Sequence, residues 1–243
     1  MKKLIFIMVL FAACKSPEKK VDTVVKDTVA KTKHADTAFL LRDVKKGFYH
    51  AIYIEKNRSA SQYKWLLGFK YDHYDSVNYN ETYKILKVKH RKPLKEYDLS
   101  GLPKQWVPLN LYKGKYYLYA PSDGGSTQVR ALTDSTVIYY DMDGPTVQPL
   151  LDFKKLNANK YFFKSLPFYQ FVKSTNVTIY VIDPENMVTV WVDTTVPEAY
   201  RYMLYVAKEH AANFDMVVNY CKTERTDEFT FDKIDFKALI KGR

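Results

Sequence analysis

Residues 177–192 decide the fold, and they read VTIYVIDPENMVTVWV. Two runs rich in Val, Ile, Thr and aromatic residues flank the turn sequence Asp183-Pro-Glu-Asn186. An alternation of polarity with a period of two is typical of a strand with one buried face, and proline and asparagine favour turns. The segment therefore predicts an antiparallel hairpin.

The same strand pattern recurs between residues 37 and 243. Strands are predicted at 48–55, 63–71, 82–90, 115–120, 128–132, 135–140, 146–151, 177–182, 187–192, 216–221 and 228–231. Asp143-Gly144 predicts a second tight hairpin, because glycine readily adopts the positive φ that such a turn requires. These strands predict a mainly β (α+β) fold, either an antiparallel β-sandwich or a partly open barrel.

Helical signals are confined to the last fifty residues. Thr195-Val-Pro-Glu198 has the pattern of a capping box with proline in the first turn. Apolar residues then follow at helical spacing from Ala199 to Ala211. The sequence thus predicts one amphipathic helix in the C-terminal region, packed against the strands. Asp235 is placed to cap a short terminal helix over residues 236–240.

The first 36 residues differ in composition from the rest of the chain. Residues 1–13 join two lysines to ten uncharged residues, which is the length of a secretory signal and half of the roughly 20 residues that span a bilayer. Residues 15–36 lack aromatic residues and glycine, so a disordered tether is predicted there. We therefore divide the chain into a signal peptide (1–13), a cysteine with its tether (14–36) and one β-rich domain (37–243).

The end of the signal segment is Phe11-Ala-Ala-Cys14. It resembles the lipobox of bacterial lipoproteins, with phenylalanine where that motif usually has leucine. The resemblance implies that Cys14 becomes the N-terminus and carries a diacylglycerol and an N-acyl chain, and two or more chains anchor a protein stably. The tether is similar in composition to those of Bacteroidota lipoproteins. Residues 106–136 resemble small uncharacterised lipoproteins of that group, which implies no known activity.

The resemblance also implies a location. In that phylum, acidic residues just after the lipidated cysteine tend to direct export to the cell surface, whereas residues 15–20 hold three lysines and one glutamate. We therefore expect a lipid-anchored outer-membrane protein that faces the periplasm, with the cell surface as the alternative. The expected partner is the membrane, through the lipid on Cys14, and no other cofactor is expected.

The charge of the chain argues against nucleic acid as a partner. The formal net charge is +11, and four of these charges belong to residues 1–36, so the domain carries +7. Most of the excess is lysine. Because bidentate recognition of phosphates and base edges usually depends on arginine, no nucleic-acid ligand is expected.

Tyrosines supply the first candidate binding residues. The chain has 21 of them, and four crowd one polar stretch: Tyr71, Tyr74, Tyr79 and Tyr83. A tyrosine ring has an apolar face and a polar rim, which suits stacking against a sugar ring. A glycan platform is therefore one hypothesis, and ordinary half-buried strand residues are the alternative.

A basic run supplies the second candidate. Read as a strand, residues 84–95 place Lys87, Lys89 and Arg91 on one face. That face suits anionic lipid head groups or an acidic polysaccharide. The alternative is that the lysines protect an exposed sheet edge from aggregation.

No motif in the sequence defines a reaction. Residues 124–128 approach a nucleophile elbow, but Gln128 replaces its last glycine and a strand follows it. Residues 141–144 begin like a calcium loop and lack its later ligands. The five histidines have no metal-binding spacing, so no metal is expected, and Cys221 is expected to be a buried, inert thiol on a strand.

These observations favour a non-enzymatic envelope lipoprotein that presents a β-rich domain for binding or structure. Its expected ligand is a glycan or another envelope protein. Acidic residues such as Asp227 and Glu228 are plentiful, and a catalytic carboxylate pair is defined by its separation in space. A hydrolase acting on envelope carbohydrate or lipid is therefore the alternative, with no catalytic residue assigned.

Overall fold

The strands of the described part of the chain form a closed barrel of eight strands and a separate sheet of five. The computed structural model describes residues 38–68, 73–90, 94–122, 128–141, 144–167, 174–222 and 226–243. This mainly β architecture confirms the predicted fold class.

The strands and helices have the following bounds. The strands are β1 (Ala38–Lys45), β2 (Phe48–Glu55), β3 (Gln105–Pro108), β4 (Asn110–Tyr112), β5 (Lys115–Ala120), β6 (Arg130–Leu132), β7 (Thr136–Asp141), β8 (Gly144–Asn157), β9 (Lys160–Ser165), β10 (Thr175–Asp183), β11 (Val188–Asp193), β12 (Tyr202–Ala207) and β13 (Met216–Cys221). The helices are α1 (Ser61–Leu67), α2 (His73–His90) and α3 (Phe236–Ile240), with 3-10 turns at Glu198–Tyr200 and Lys208–Asn213.

The barrel has the strand order β10-β11-β12-β3-β6-β7-β8-β9, and β9 pairs back with β10. Every neighbouring pair in it is antiparallel. The β10–β11 hairpin confirms the prediction for residues 177–192. In its turn, the Asp183 carboxylate accepts hydrogen bonds from the backbone N–H groups of Glu185 (3.0 Å) and Asn186 (3.1 Å).

The second predicted hairpin joins β7 to β8, with Asp141 paired to Gly144. Gly144 has a φ of 97°, in the region where a side chain is unfavourable. Asp143 lies outside the described residues. The sequence signal for this turn is therefore confirmed by the pairing of the two strands and by the glycine conformation.

Aromatic side chains fill the barrel interior. The ring of Trp191 lies 5.7 Å from Trp106, 5.7 Å from Phe163 and 5.2 Å from Tyr205, measured between ring centroids. The Trp191 indole N–H donates to the Thr189 hydroxyl at 3.1 Å. This centre is a packed core, because rings and aliphatic side chains from all eight strands contact one another there.

The five-stranded sheet has the order β1-β2-β13-β5-β4, and β13 and β5 run parallel. Side chains of β5, β13 and α1 pack against outward-facing side chains of β3, β11 and β12. On the opposite face, Phe229 and Phe231 cover Ile52, Tyr117 and Val217. The central strands of the sheet are thus covered on both faces, by the barrel wall with α1 and by the segment that precedes α3, whereas β1 is largely exposed.

The strand predicted at 63–71 is wrong over its described part, which forms α1. This helix buries Tyr63 and Leu66, three positions apart, on one face. The Tyr63 hydroxyl donates to the Phe214 carbonyl at 2.7 Å and accepts from Arg58 at 2.6 Å. Partners that are distant in sequence therefore hold a helix that the local alternation does not reveal. Residues 69–71 lie outside the described residues.

The strand predicted at 82–90 is also wrong, because these residues form the second half of α2. The order of polar and apolar residues from Lys84 to Lys87 fits a strand as well as a helix. An ion pair between Glu81 and Lys84 at 2.6 Å, three positions apart, stabilises the helix. The barrel beneath is closed without this segment. Since a closed barrel has no free edge, the segment covers its outer wall as a helix.

The helix predicted after Thr195 is replaced by β12 between two 3-10 turns. Leu204, Tyr205 and Val206 are all buried, because β12 lies between β11 and β3 with covered faces on both sides. A strand buried on both faces has a continuous apolar run, and such a run also satisfies helical spacing. The prediction of a helix here is wrong for that reason.

Of the two short elements predicted near the C-terminus, the helix is confirmed and the strand is not. The terminal helix is confirmed as α3, where the Asp235 carboxylate accepts from the Ala238 N–H at 3.0 Å. No named strand covers 228–231, and a single bridge joins Leu111 to Asp232 nearby. Besides β12, four strands of the described chain have no predicted strand: β1, β3, β4 and β9.

Candidate functional site

A cleft of about 580 Å³ lies beside the barrel under the second half of α2. It is bounded by α2, by the segment leading to β3, and by parts of β7, β8 and the end of β9. Its lining residues are Tyr83, Leu86, Lys87, Leu94, Lys95, Tyr97, Thr136, Pro149, Leu150, Leu151 and Leu166. The volume falls within the range of small-molecule sites.

Helical geometry positions the residues that α2 contributes. Leu86 is buried against Ala131, Ile138 and Val147 on the outer wall of the barrel, and Tyr79 packs beside them. The rings of Tyr79 and Tyr83 are nearly parallel, at 9°, with centroids 6.4 Å apart. Burial of a leucine contributes about 1.5–3 kcal/mol, so Leu86 fixes the helix on the barrel.

Most of the wall is apolar. Leu86, Pro149 and Leu150 are buried, whereas Leu151 keeps 44% of its surface exposed to solvent. Apolar surface that remains exposed in a concave site favours the binding of an apolar group. The lining can therefore hold an alkyl chain.

Two lysines, Lys87 and Lys95, also line the cleft. Lys87 lies one helical turn beyond Tyr83, and the Lys95 ammonium lies 4.7 Å from the centroid of the Tyr97 ring. Burial, and secondly the carboxylate of Asp152, raise the pKa of Tyr97. Asp152 is itself paired with Lys154 at 2.8 Å. Lysine ammonium groups beside an apolar wall suit a ligand that joins an alkyl chain to an anion.

The structure brings together some of the predicted binding residues. Tyr83 and Lys87 line the cleft, and the ring of Tyr79 stacks on that of Tyr83 without being one of the lining residues. Tyr74 and Lys89 belong to α2, and their side chains are outside the described set. Cys14, Tyr71 and Arg91 lie outside the described residues, and their roles stay predictions.

The predicted basic face needs a correction. On a strand, Lys87 and Lys89 share a face, but on α2 two positions correspond to a rotation of about 200°. The strand on which the predicted shared face depends is therefore wrong, and the Lys89 side chain lies outside the described set. In the structure, Lys87 and Lys95 both line the cleft under α2.

Sequence reasoning missed most of the lining. Lys95, Tyr97 and Thr136 carry no motif, and they meet α2 only because the barrel brings β7 and β8 under the helix. Residues 149–151, which read Pro-Leu-Leu, are part of a predicted strand and carry no signal of a binding site. A helical reading of residues 79–87 would have placed Tyr79, Tyr83 and Lys87 on one face.

Other predicted features of the sequence lie elsewhere. Cys221 is on β13 as predicted, but it is half-buried, so the expectation of a buried thiol is wrong. Cys221 is the last residue of β13. The Asn219 Oδ1 atom accepts a hydrogen bond from His50 Nε2 (2.8 Å), and the Asn219 amide N–H donates to the Asp227 carbonyl (3.0 Å). Glu228 accepts a hydrogen bond from the Tyr119 hydroxyl.

The described residues contain no group of three His, Cys, Asp or Glu side chains placed to share a metal ion. Within the same ranges, no helix has both the length and the apolar composition needed to cross a membrane. Residues 123–127, which include most of the elbow-like sequence, lie outside the description. No protein-family model, no curated protein and no solved structure matches the chain.

Proposed function

We propose that the chain is a lipid-anchored protein of the bacterial cell envelope whose β-rich domain binds an amphiphile. The ligand has an alkyl chain and an anionic head group. The observation that carries this choice is the cleft under α2, where a leucine-rich wall meets Lys87 and Lys95.

The lipobox-like sequence before Cys14 supports the anchor. Residues 15–36 number 22, and a coil of that length has a mean reach of roughly 25 Å. A domain on such a tether remains close to the membrane surface. Anionic amphiphiles are concentrated there, so anchor and ligand class agree.

The lining favours an amphiphile over a sugar in this cleft. Each CH₂ group transferred from water to an apolar wall contributes about 0.8 kcal/mol. Sugar hydroxyls require hydrogen-bonding partners, and six of the eleven lining residues are leucine or proline, whose side chains offer none. The rings of Tyr79 and Tyr83 face each other, which leaves less open surface for a sugar to stack on.

A matched series of ligands tests the proposal. Dodecyl phosphate, dodecyl maltoside and dodecyl trimethylammonium share one alkyl chain and differ in the charge of the head group. Titration calorimetry with residues 15–243, below the micelle concentration of each ligand, should show the order phosphate, maltoside, trimethylammonium. Equal binding of all three would remove the anionic head group from the proposal. Absence of binding by dodecyl phosphate would overturn it.

A further inference from the structure

A second depression lies on the five-stranded sheet, away from α2. It has a volume of about 300 Å³ and is found where β5 and β13 end, with α1 as one wall. Its lining residues are Ser61, Gln62, Trp65, Ala120, Pro121, Ser122, Val218, Asn219, Tyr220 and Cys221. None of these side chains is an acid or a base of the kind that carries a charge at neutral pH.

Two aromatic rings stand open to solvent at this depression. Trp65 is 47% exposed and Tyr220 is 42% exposed, whereas the other two tryptophans, Trp106 and Trp191, are 0% and 4% exposed. Tyr63 and Leu66 pack on the core from one face of α1. Because successive residues of a helix are rotated by about 100°, Trp65 lies on a different face, which is open to solvent. Large exposed aromatic surface beside a concavity is typical of a binding site.

The tyrosine is held in place by a neighbouring strand. The ring of Tyr49 meets that of Tyr220 edge to face, at 62° and 6.0 Å between centroids. This contact restricts the Tyr220 side chain before any ligand arrives, and a restricted ring loses less conformational entropy on binding. The pocket therefore offers a preorganised aromatic surface.

Amide and hydroxyl groups lie beside the rings. The Gln62 amide N–H donates to the Tyr53 hydroxyl at 3.4 Å, and Ser61 donates to the Gln62 amide oxygen at 3.1 Å. The Ser122 hydroxyl donates to the Thr226 carbonyl at 3.3 Å. An amide has two donors and two acceptor lone pairs, so Gln62 retains capacity for a ligand after these contacts.

The main chain adds further polar groups. The parallel register of β13 with β5 ends at Val218 and Ala120. Lys222 N–H donates to the Tyr49 carbonyl at 3.2 Å, so alternate residues of β13 bond to β2. The Asn219 N–H therefore points towards β5 and completes the Val218–Ala120 pairing, whereas the Asn219 carbonyl lies past the last pair, on the side where β5 has ended.

We infer that the Trp65–Tyr220 pocket binds a neutral pyranose ring of an oligosaccharide, with the C–H face of the sugar stacked on Trp65. A pyranose offers an apolar face together with hydroxyls that both donate and accept. The pocket offers aromatic faces together with amide and hydroxyl groups, and none of its described lining residues has a charged side chain. This site is independent of the cleft under α2 and of the lipid anchor.

The test uses the full chain in a zwitterionic detergent without sugar. The probes are cellotetraose, maltotetraose and the tetramer of N-acetylglucosamine. Saturation-transfer NMR should show contact of ring C–H protons with the protein for at least one tetrasaccharide, with a dissociation constant of about 1 mM or tighter. The same sugar should shift the tryptophan fluorescence, because Trp65 is the exposed indole of the three.

Variants decide where the sugar lies. Trp65→Ala and Tyr220→Ala should each weaken binding by about tenfold, and Trp65→Phe should retain part of it. Tyr200→Ala is the matched control, because Tyr200 is 74% exposed and lies outside the pocket. Unfolding temperatures near that of the wild type show that each variant is folded.

Two results would overturn the inference. One is the absence of saturation transfer to all three tetrasaccharides by a folded wild-type chain. The other is equal affinity in the wild type and in Trp65→Ala. Lys87→Gln should leave sugar binding unchanged, so a failure here is distinguishable from a failure of the amphiphile proposal.

Discussion

The hydroxyl of Tyr63 donates a hydrogen bond to the backbone carbonyl of Phe214 at 2.7 Å, across 151 positions of sequence. Arg58 donates to the same hydroxyl at 2.6 Å and forms an ion pair with Asp215 at 2.8 Å. One tyrosine thus joins α1 to the segment that leads into β13. Burial is the main reason why the pKa of Tyr63 is raised.

Tyr63→Phe should therefore destabilise the domain. The variant keeps the ring but leaves the Phe214 carbonyl without the hydroxyl it bonds, and such a loss costs about 1–3 kcal/mol. Urea unfolding followed by far-UV circular dichroism measures the change in the free energy of unfolding. Tyr200→Phe, on an exposed ring, should change it by less than about 0.5 kcal/mol. Equal effects of the two variants would contradict the prediction.

Because of Tyr119, the free energy of unfolding of the domain should fall at alkaline pH. Its pKa is raised to about 12, first by burial and then by its hydrogen bond to Glu228. Because the folded pKa lies above the ordinary value near 10, this contribution is complete below about pH 10 and is lost as the pH rises towards 12.

The measurement is urea unfolding at several pH values between about 9 and 11.5. Tyr119→Phe should lower stability at neutral pH and make the alkaline loss shallower. A residual slope should remain, since burial also raises the pKa of Tyr53 to about 12. If Tyr119→Phe and the wild type lose stability in parallel over this range, the hydroxyl does not carry the effect.

The lysines of the cleft should govern amphiphile affinity. Lys87→Gln and Lys95→Gln should each weaken dodecyl phosphate about two- to fivefold, since partly exposed ion pairs are worth up to about 1 kcal/mol. Added salt should reduce the difference between wild type and variants. Lys84→Gln is the control on the same helix, because Lys84 pairs with Glu81 and does not line the cleft. An equal loss in all three variants would point to net charge rather than to the cleft.

The sequence reveals strands whose pairing is regular. β2, β5 and β13 have the predicted bounds, and the β10–β11 hairpin follows from alternation interrupted by a turn. The errors occur where alternation and helical spacing coincide. The run in β12 is apolar on both faces, and the lysine-rich run in α2 covers a barrel without a free edge. Only the closed sheet decides between the two states in these segments.

The candidate cleft is less predictable than the fold for a related reason. Tyr83 and Lys87 belong to a tyrosine-rich stretch and a basic run that the sequence shows directly, whereas Thr136 and Leu166 join them only when β7 and β9 close the barrel. Trp65 in the second pocket carries no motif either. Its exposure follows from Tyr63 and Leu66, which fix the rotation of α1.

The predicted membrane anchor is the lipid on Cys14. Cys14→Ser should abolish incorporation of labelled palmitate and move the protein from the membrane fraction to the soluble fraction, because the thiol that carries the diacylglycerol is lost. Cys221→Ser is the matched control, since the chain has two cysteines and Cys221 lies on β13. It should keep both the label and the membrane. A Cys14→Ser variant that still takes up the label would refute lipidation at Cys14, and an unlabelled variant that stays with the membrane would show that another contact holds the protein there.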